Sequence, residues 1–151
     1  MRTSIVAVAV TCATLAATEP ALAQVEGVVT AGVHRDVNHE QFGGASGGVL
    51  LTARWLSIGA QGDAFFSPPY VAGRFTPFVQ GNVFDLRGVR LFLQAGKGYG
   101  EFKGTMYGAG IDLRRGDHRV GVRASLQAYL AQMWNGGKRA QPSVNVGVIW
   151  R

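Results

Sequence analysis

From residue 24 onward the chain alternates apolar side chains with polar or small ones in eight consecutive segments. The segments are Val25–His34, Gly44–Arg54, Trp55–Phe66, Arg74–Phe84, Val89–Gly98, Thr105–Arg114, Arg119–Leu130 and Ser143–Arg151. A period of two is the spacing of a strand, whose successive side chains point to opposite faces. A length of about ten residues is what a tilted strand needs to cross a bilayer. No helical apolar stripe interrupts the pattern. One face carries Val29, Val49, Leu51, Ile58, Val79, Leu91, Leu93, Ile111, Val122, Leu126, Val146 and Val148, with no charge anywhere on it. The other face carries Glu26, Thr30, Ser46, Thr52, Ser57, Gln61, Asp63, Gln80, Asn82, Arg90, Gln94, Asp112, Arg123, Ser125, Gln127 and Asn145, joined by Phe78, Phe92 and Tyr129.

Alternation alone does not say which face lies inside. In a soluble β-sandwich or ligand-binding barrel the polar face meets water. Here that face is poor in Lys and Glu and rich in Gln, Asn, Ser, Thr and Gly, unlike a water-facing surface. Glycines gather on it, as expected where strands converge on a narrow lumen. The expected fold is therefore all-β: an eight-stranded antiparallel up-and-down transmembrane β-barrel with its apolar face toward lipid. The alternative is a soluble periplasmic or secreted β-barrel that binds an apolar ligand.

The first residues have a different character. Arg2 is a basic start, Ser4–Ala17 is an uncharged apolar stretch, and Ala21-Leu22-Ala23 is a small-x-small cleavage site before Gln24. This is the layout of a signal peptide, expected over residues 1–23, with the barrel domain over 24–151. The apolar stretch is shorter than the ~20 residues a spanning helix needs. The single cysteine, Cys12, would leave with the leader, so disulfides cannot staple the exported part. No later apolar run is long enough for a transmembrane helix. A closed barrel is the remaining structure that satisfies every backbone polar group in lipid. The formal net charge is +6. In an exported protein, anionic lipid is a more natural counterpart for that charge than nucleic acid.

Short, turn-like connections at Arg54-Trp55, 85–88 and 115–118 alternate with longer ones at 35–43, 67–73, 99–104 and 131–142. That alternation suits a barrel with short periplasmic turns and longer outer loops. Aromatic residues near the segment ends fit interfacial girdles: Trp55 and Trp150 on the periplasmic side, and Phe66, Tyr70, Phe75 and Tyr107 on the outer side. Pro77 falls within a strand pattern, forfeits a ladder hydrogen bond, and is expected near the outer rim.

Charges confined to the inside must pair. Glu26, Asp63 and Asp112 are expected to face Arg90 and Arg123 in a lumenal ion-pair network, because eight strands enclose a space that side chains can fill. No catalytic site, cofactor or metal is expected. His118 lies in a turn, and His34 and His39 lie in or beside the first outer loop near Asp36 and Glu40, a spacing diagnostic of neither a triad nor a metal site. The outer side carries Arg35, Arg74, Lys97, Lys103, Lys138 and Arg139 against Asp36, Glu40 and Glu101, a basic balance suited to lipopolysaccharide phosphates. The periplasmic turns are basic as well.

Two stretches carry a family resemblance. Phe75-Thr76-Pro77-Phe78-Val79-Gln80-Gly81 is similar to the Pro-aromatic-Val-x-Gly strand starts of small outer-membrane β-barrel proteins of the OmpA/OmpX and opacity-protein type. Tyr107–Arg114, followed by a Gly-Asp turn and Val120–Tyr129, resembles the same group. The resemblance implies a Gram-negative outer-membrane address and a non-enzymatic role in envelope structure or surface interaction through outer loops. It also implies assembly by machinery that reads a terminal aromatic residue; here that aromatic is Trp150, followed by Arg151.

Overall fold

The computed structural model describes residues 23–35, 41–67, 69–86, 88–101, 103–115, 118–132 and 138–151, except the side chains of Ser67, Tyr70, Gln132 and Lys138. The expected leader and the cluster Asp36, His39 and Glu40 lie outside the described residues. Eight strands follow one another: β1 Gln24–Arg35, β2 Gln41–Ala53, β3 Leu56–Ser67, β4 Tyr70–Leu86, β5 Val89–Gly100, β6 Gly104–Arg114, β7 Val120–Gln132 and β8 Lys138–Trp150. Each pairs antiparallel with its sequence neighbour, and β8 returns to pair with β1, so the sheet closes and leaves no edge.

The faces are disposed as the expected membrane barrel requires. Val49 (59 % exposed), Leu126 (62 %) and Val146 (54 %) point away from the axis, whereas Ser57, Gln80 and Asn145 are buried inside. The soluble alternative needs the reverse. No helix among the described residues is long and apolar enough to cross a membrane, so a crossing would be made by strands.

Three features differ from the sequence expectation. The strands run further at their outer ends than the segments do: β4 begins at Tyr70 rather than Arg74 and β8 at Lys138 rather than Ser143. The supposed long loops are correspondingly short, with β3 and β4 separated by residues 68–69 alone. Second, Pro77 pairs with Ala60 in the middle of β3, well away from the rim. The β4–β5 pairing skips Thr76 and Pro77, running from Phe75↔Tyr99 directly to Phe78↔Gly96. The missing N–H is thus accommodated by a gap in one seam. Third, an irregularity between Asn82 and Phe84 places Val83 and Phe84 both on the outer surface. Asn82 then donates its side-chain amide to the Arg54 carbonyl (3.2 Å) and its backbone N–H to the Trp55 carbonyl (2.6 Å). These bonds hold the β2–β3 turn, in which Arg54 has φ 54°, a left-handed conformation costly for a side chain with a Cβ.

The closing β1–β8 seam depends on two glycines. Gly147 lies against the Val29 backbone, where a Cβ would run into the carbonyl oxygen. Outside the barrel, Gly27 leaves room for the Trp150 indole to lie over β1.

Candidate functional site

The lumen is where this sequence concentrates its buried charge. Hydrogen bonds among the described residues divide it into two networks separated by an apolar tier.

The lower network occupies the half of the barrel that holds Gln24 and Trp150. Asp112 of β6 and Arg123 of β7 face one another in register, as do Arg90 of β5 and Asp112. The Asp112 carboxylate accepts from Arg123 Nε at 2.6 Å and from Arg90 Nη2 at 2.6 Å. Arg90 also donates to Glu26 across the lumen at 2.8 Å, and Arg114 Nη2 reaches the same carboxylate at 2.7 Å. Thr52 donates to Glu26 and lies 2.9 Å from the Ser57 hydroxyl, while Arg123 Nη2 donates to Gln80. Planar guanidinium groups suit such a web because each presents several fixed donors. Two carboxylates face three arginines, leaving one excess positive charge. The Arg123 guanidinium also stacks on Phe92 at 4.3 Å.

The upper network lies toward the outer end. Arg74 Nε donates to Asp63 at 2.8 Å, and the Arg74 guanidinium lies over the Tyr129 ring at 3.1 Å and the Phe65 ring at 4.7 Å. Gln61 donates to Asp63 and to the Tyr129 hydroxyl, which is also 3.2 Å from Thr76 Oγ1. His34 is buried beside this group, stacked on Phe42 and edge-on to Phe65, and its Nε2 has no partner.

Between the networks, Val28, Leu50, Phe78, Met106 and Ile149 pack together with the Tyr129 ring. The strand pattern fixes this tier. On β4, Phe78 stands between Thr76 of the upper network and Gln80 of the lower. On β3, Gly59 stands between Ser57 and Gln61, and the Phe78 ring occupies the space a Gly59 side chain would take. Val28, Leu50 and Phe92 each sit two residues above Glu26, Thr52 and Arg90.

Of the five charged residues named from sequence, the structure brings Glu26, Arg90, Asp112 and Arg123 together and places Asp63 in the other network, paired with Arg74. Arg74, Arg114 and His34 stand at the ends of their segments in the sequence and are not among the charges expected inside; all three project into the lumen. The signal that finds them is parity. Arg74 shares its face with Thr76 and Phe78, Arg114 with Asp112, and His34 with Glu26 and Thr30.

Most of the exposed aromatic residues lie near the strand ends, with Phe75 further in, opposite Gly62 of β3. Trp55, Phe84 and Trp150 are exposed toward the end that holds Gln24, and Phe66, Phe75, Tyr99 and Tyr107 toward the other. Tyr70 opens β4, with its side chain outside the described residues.

Fold and lumen together define a class: small, closed, eight-stranded antiparallel barrels with an apolar exterior and a side-chain-filled polar interior. Among solved structures the chain is similar to the N-terminal β-barrel domain of Pseudomonas aeruginosa OprF, with a TM-score of 0.60 and 14% identity over 85% of this chain and 98% of that one. It is also similar to Neisserial surface protein A, with a TM-score of 0.59 and 10% identity over 83% of this chain and 94% of that one. Neither a protein-family model nor a curated protein sequence matches the chain. At these identities the likeness is one of fold: the chain shares the fold of eight-stranded outer-membrane barrels.

Proposed function

We propose that this protein is a non-enzymatic integral barrel of the Gram-negative outer membrane, exported by a leader over residues 1–23, that serves in envelope structure or surface interaction. The observation that carries this reading is the inversion of its faces. An apolar band of Val, Leu, Ile and Ala surrounds the closed barrel, uncharged below Lys97, while its arginines and acids pair inside. Such a surface is stable in hydrocarbon and would aggregate in water. The two structural neighbours, both outer-membrane barrels by fold, support the same address.

The lumen acts as a plug that fixes the barrel's shape. Its charged groups are engaged with each other, and an apolar cluster packs between the two networks beside buried Thr30, Gln94, Ser125 and Asn145. Surface contacts fall to the outer strand ends, where Lys97 and Lys103 are exposed beside Tyr99 and Tyr107. Their chemistry suits lipopolysaccharide phosphates with aromatic groups at headgroup level. Assembly would pass through the barrel-assembly machinery.

Fractionation of cells expressing the full chain tests the proposal. The protein should require detergent for extraction and should migrate differently in boiled and unboiled gel samples. Free solubility in the periplasmic fraction would refute it.

A further inference from the structure

The outer wall is not uniform. On β5 to β8 it carries a groove of about 390 Å³, lined by Leu91, Ala109, Ile111, Ala124, Leu126 and Val144. The small side chains Ala109 and Ala124 form its floor between larger neighbours. Three of its strands end on the periplasmic side next to an exposed arginine: Arg115 after β6, Arg119 before β7 and Arg151 after β8. Backbone bonds draw these ends together, with Arg151 N–H donating to the Arg119 carbonyl at 2.9 Å and His118 N–H to that of Arg115 at 3.2 Å. Arg151 also donates to Gln24 across the closing seam. Trp150 is exposed beside them, at the edge of the apolar belt.

The vertical spacing suits one kind of molecule. Ala124 lies five residues along β7 from Arg119, about 17 Å of strand at ~3.4 Å per residue. With the usual tilt of about 40° this is roughly 13 Å along the membrane normal, about half of a ~25 Å apolar band. An anion held at the arginines, with an apolar tail reaching to mid-membrane, has the dimensions of a phospholipid in the periplasmic leaflet. We infer that β6, β7 and β8 form a binding site for an anionic phospholipid, its headgroup phosphate among Arg115, Arg119 and Arg151 and one acyl chain in the groove. The inference rests on the membrane reading above. It adds a defined lipid partner on the periplasmic side, opposite the outer rim.

Native mass spectrometry of the full chain, folded in detergent and doped with equal amounts of phosphatidylglycerol and phosphatidylcholine, tests the site. The wild type should retain one phosphatidylglycerol in preference to phosphatidylcholine, by about five-fold or more if a single arginine–headgroup contact is preserved. The triple variant Arg115→Gln, Arg119→Gln, Arg151→Gln should lose that headgroup preference. Ala109→Leu with Ala124→Leu, which fills the groove and leaves the charges in place, should lower retention of both lipids. Equal retention of the two lipids by the wild type, or a phosphatidylglycerol adduct undiminished in both variants, would overturn the site. The gel mobility of the same samples keeps the two readings apart. A heat-modifiable barrel without lipid preference counts against the lipid site alone, and a chain that never becomes heat-modifiable counts against the membrane barrel itself.

Discussion

Asp112 accepts charge-assisted hydrogen bonds from two arginines in a space with almost no access to water. Replacing it with alanine leaves Arg123 with only the Gln80 amide oxygen and Arg90 with only Glu26, a carboxylate that Arg114 shares. Breaking a buried pair in this way typically costs about 3–5 kcal/mol. Asp112→Ala should therefore unfold from lipid vesicles at markedly lower urea concentration than the wild type. Tyr129→Phe removes only a hydroxyl shared among Gln61, Thr76 and Asp63, and should cost about 1–2 kcal/mol in the same measurement. The residues missed from the sequence teach something at this scale. Arg74, Arg114 and His34 look like loop residues if a strand is assumed to stop where the bilayer does. A closed sheet continues beyond the hydrocarbon as long as its backbone finds partners, so inward parity continues too.

At the level of elements, the alternating pattern was enough to place all eight strands, because a one-residue slip would turn every Val and Leu of a strand into the lumen. Their outer ends were harder to see: Tyr70–Gly73 and Lys138–Pro142 contain turn formers or charges and lack strict alternation. Nor does parity mark a seam defect. The gap opposite Pro77 became visible only in the β4–β5 register, because pairing depends on which neighbour a backbone N–H faces. Whichever of the Lys97 and Gly98 amides faces β4 should therefore exchange with deuterium faster than amides of the same depth on β6 and β7, as hydrogen-exchange measurements resolved to single amides can read. Gly147 marks the opposite case, a place where two backbones approach too closely for any side chain. Gly147→Ala should cost at least the 1–3 kcal/mol typical of overpacking and lower the yield of folded barrel at the step that joins β8 to β1. Equal folding yields for the variant and the wild type would show that the seam relaxes freely.

For the whole molecule, closure and composition act together. Eight strands enclose a space that side chains fill, and this chain fills it with charge at two levels and, between them, an apolar cluster beside Thr30, Gln94 and Ser125. Sequence showed that charges would face inward and could not show that Asp63 would separate from the others, since the pairing partner depends on the stagger of strands around the barrel. In planar bilayers the wild type should give no steady conductance. Leu50→Ala with Phe78→Ala, which thins the tier while sparing both ion-pair networks, should produce measurable ion flux. The tier also bears on protons, which travel along files of water and hydroxyl groups and not through packed methyl groups and rings. On β4 Phe78 breaks such a file between Thr76 and Gln80, whereas β7 turns Arg123, Ser125, Gln127 and Tyr129 inward without a break. Any leak of protons along the lumen would therefore follow the β7 wall, with Phe78 as the barrier on β4.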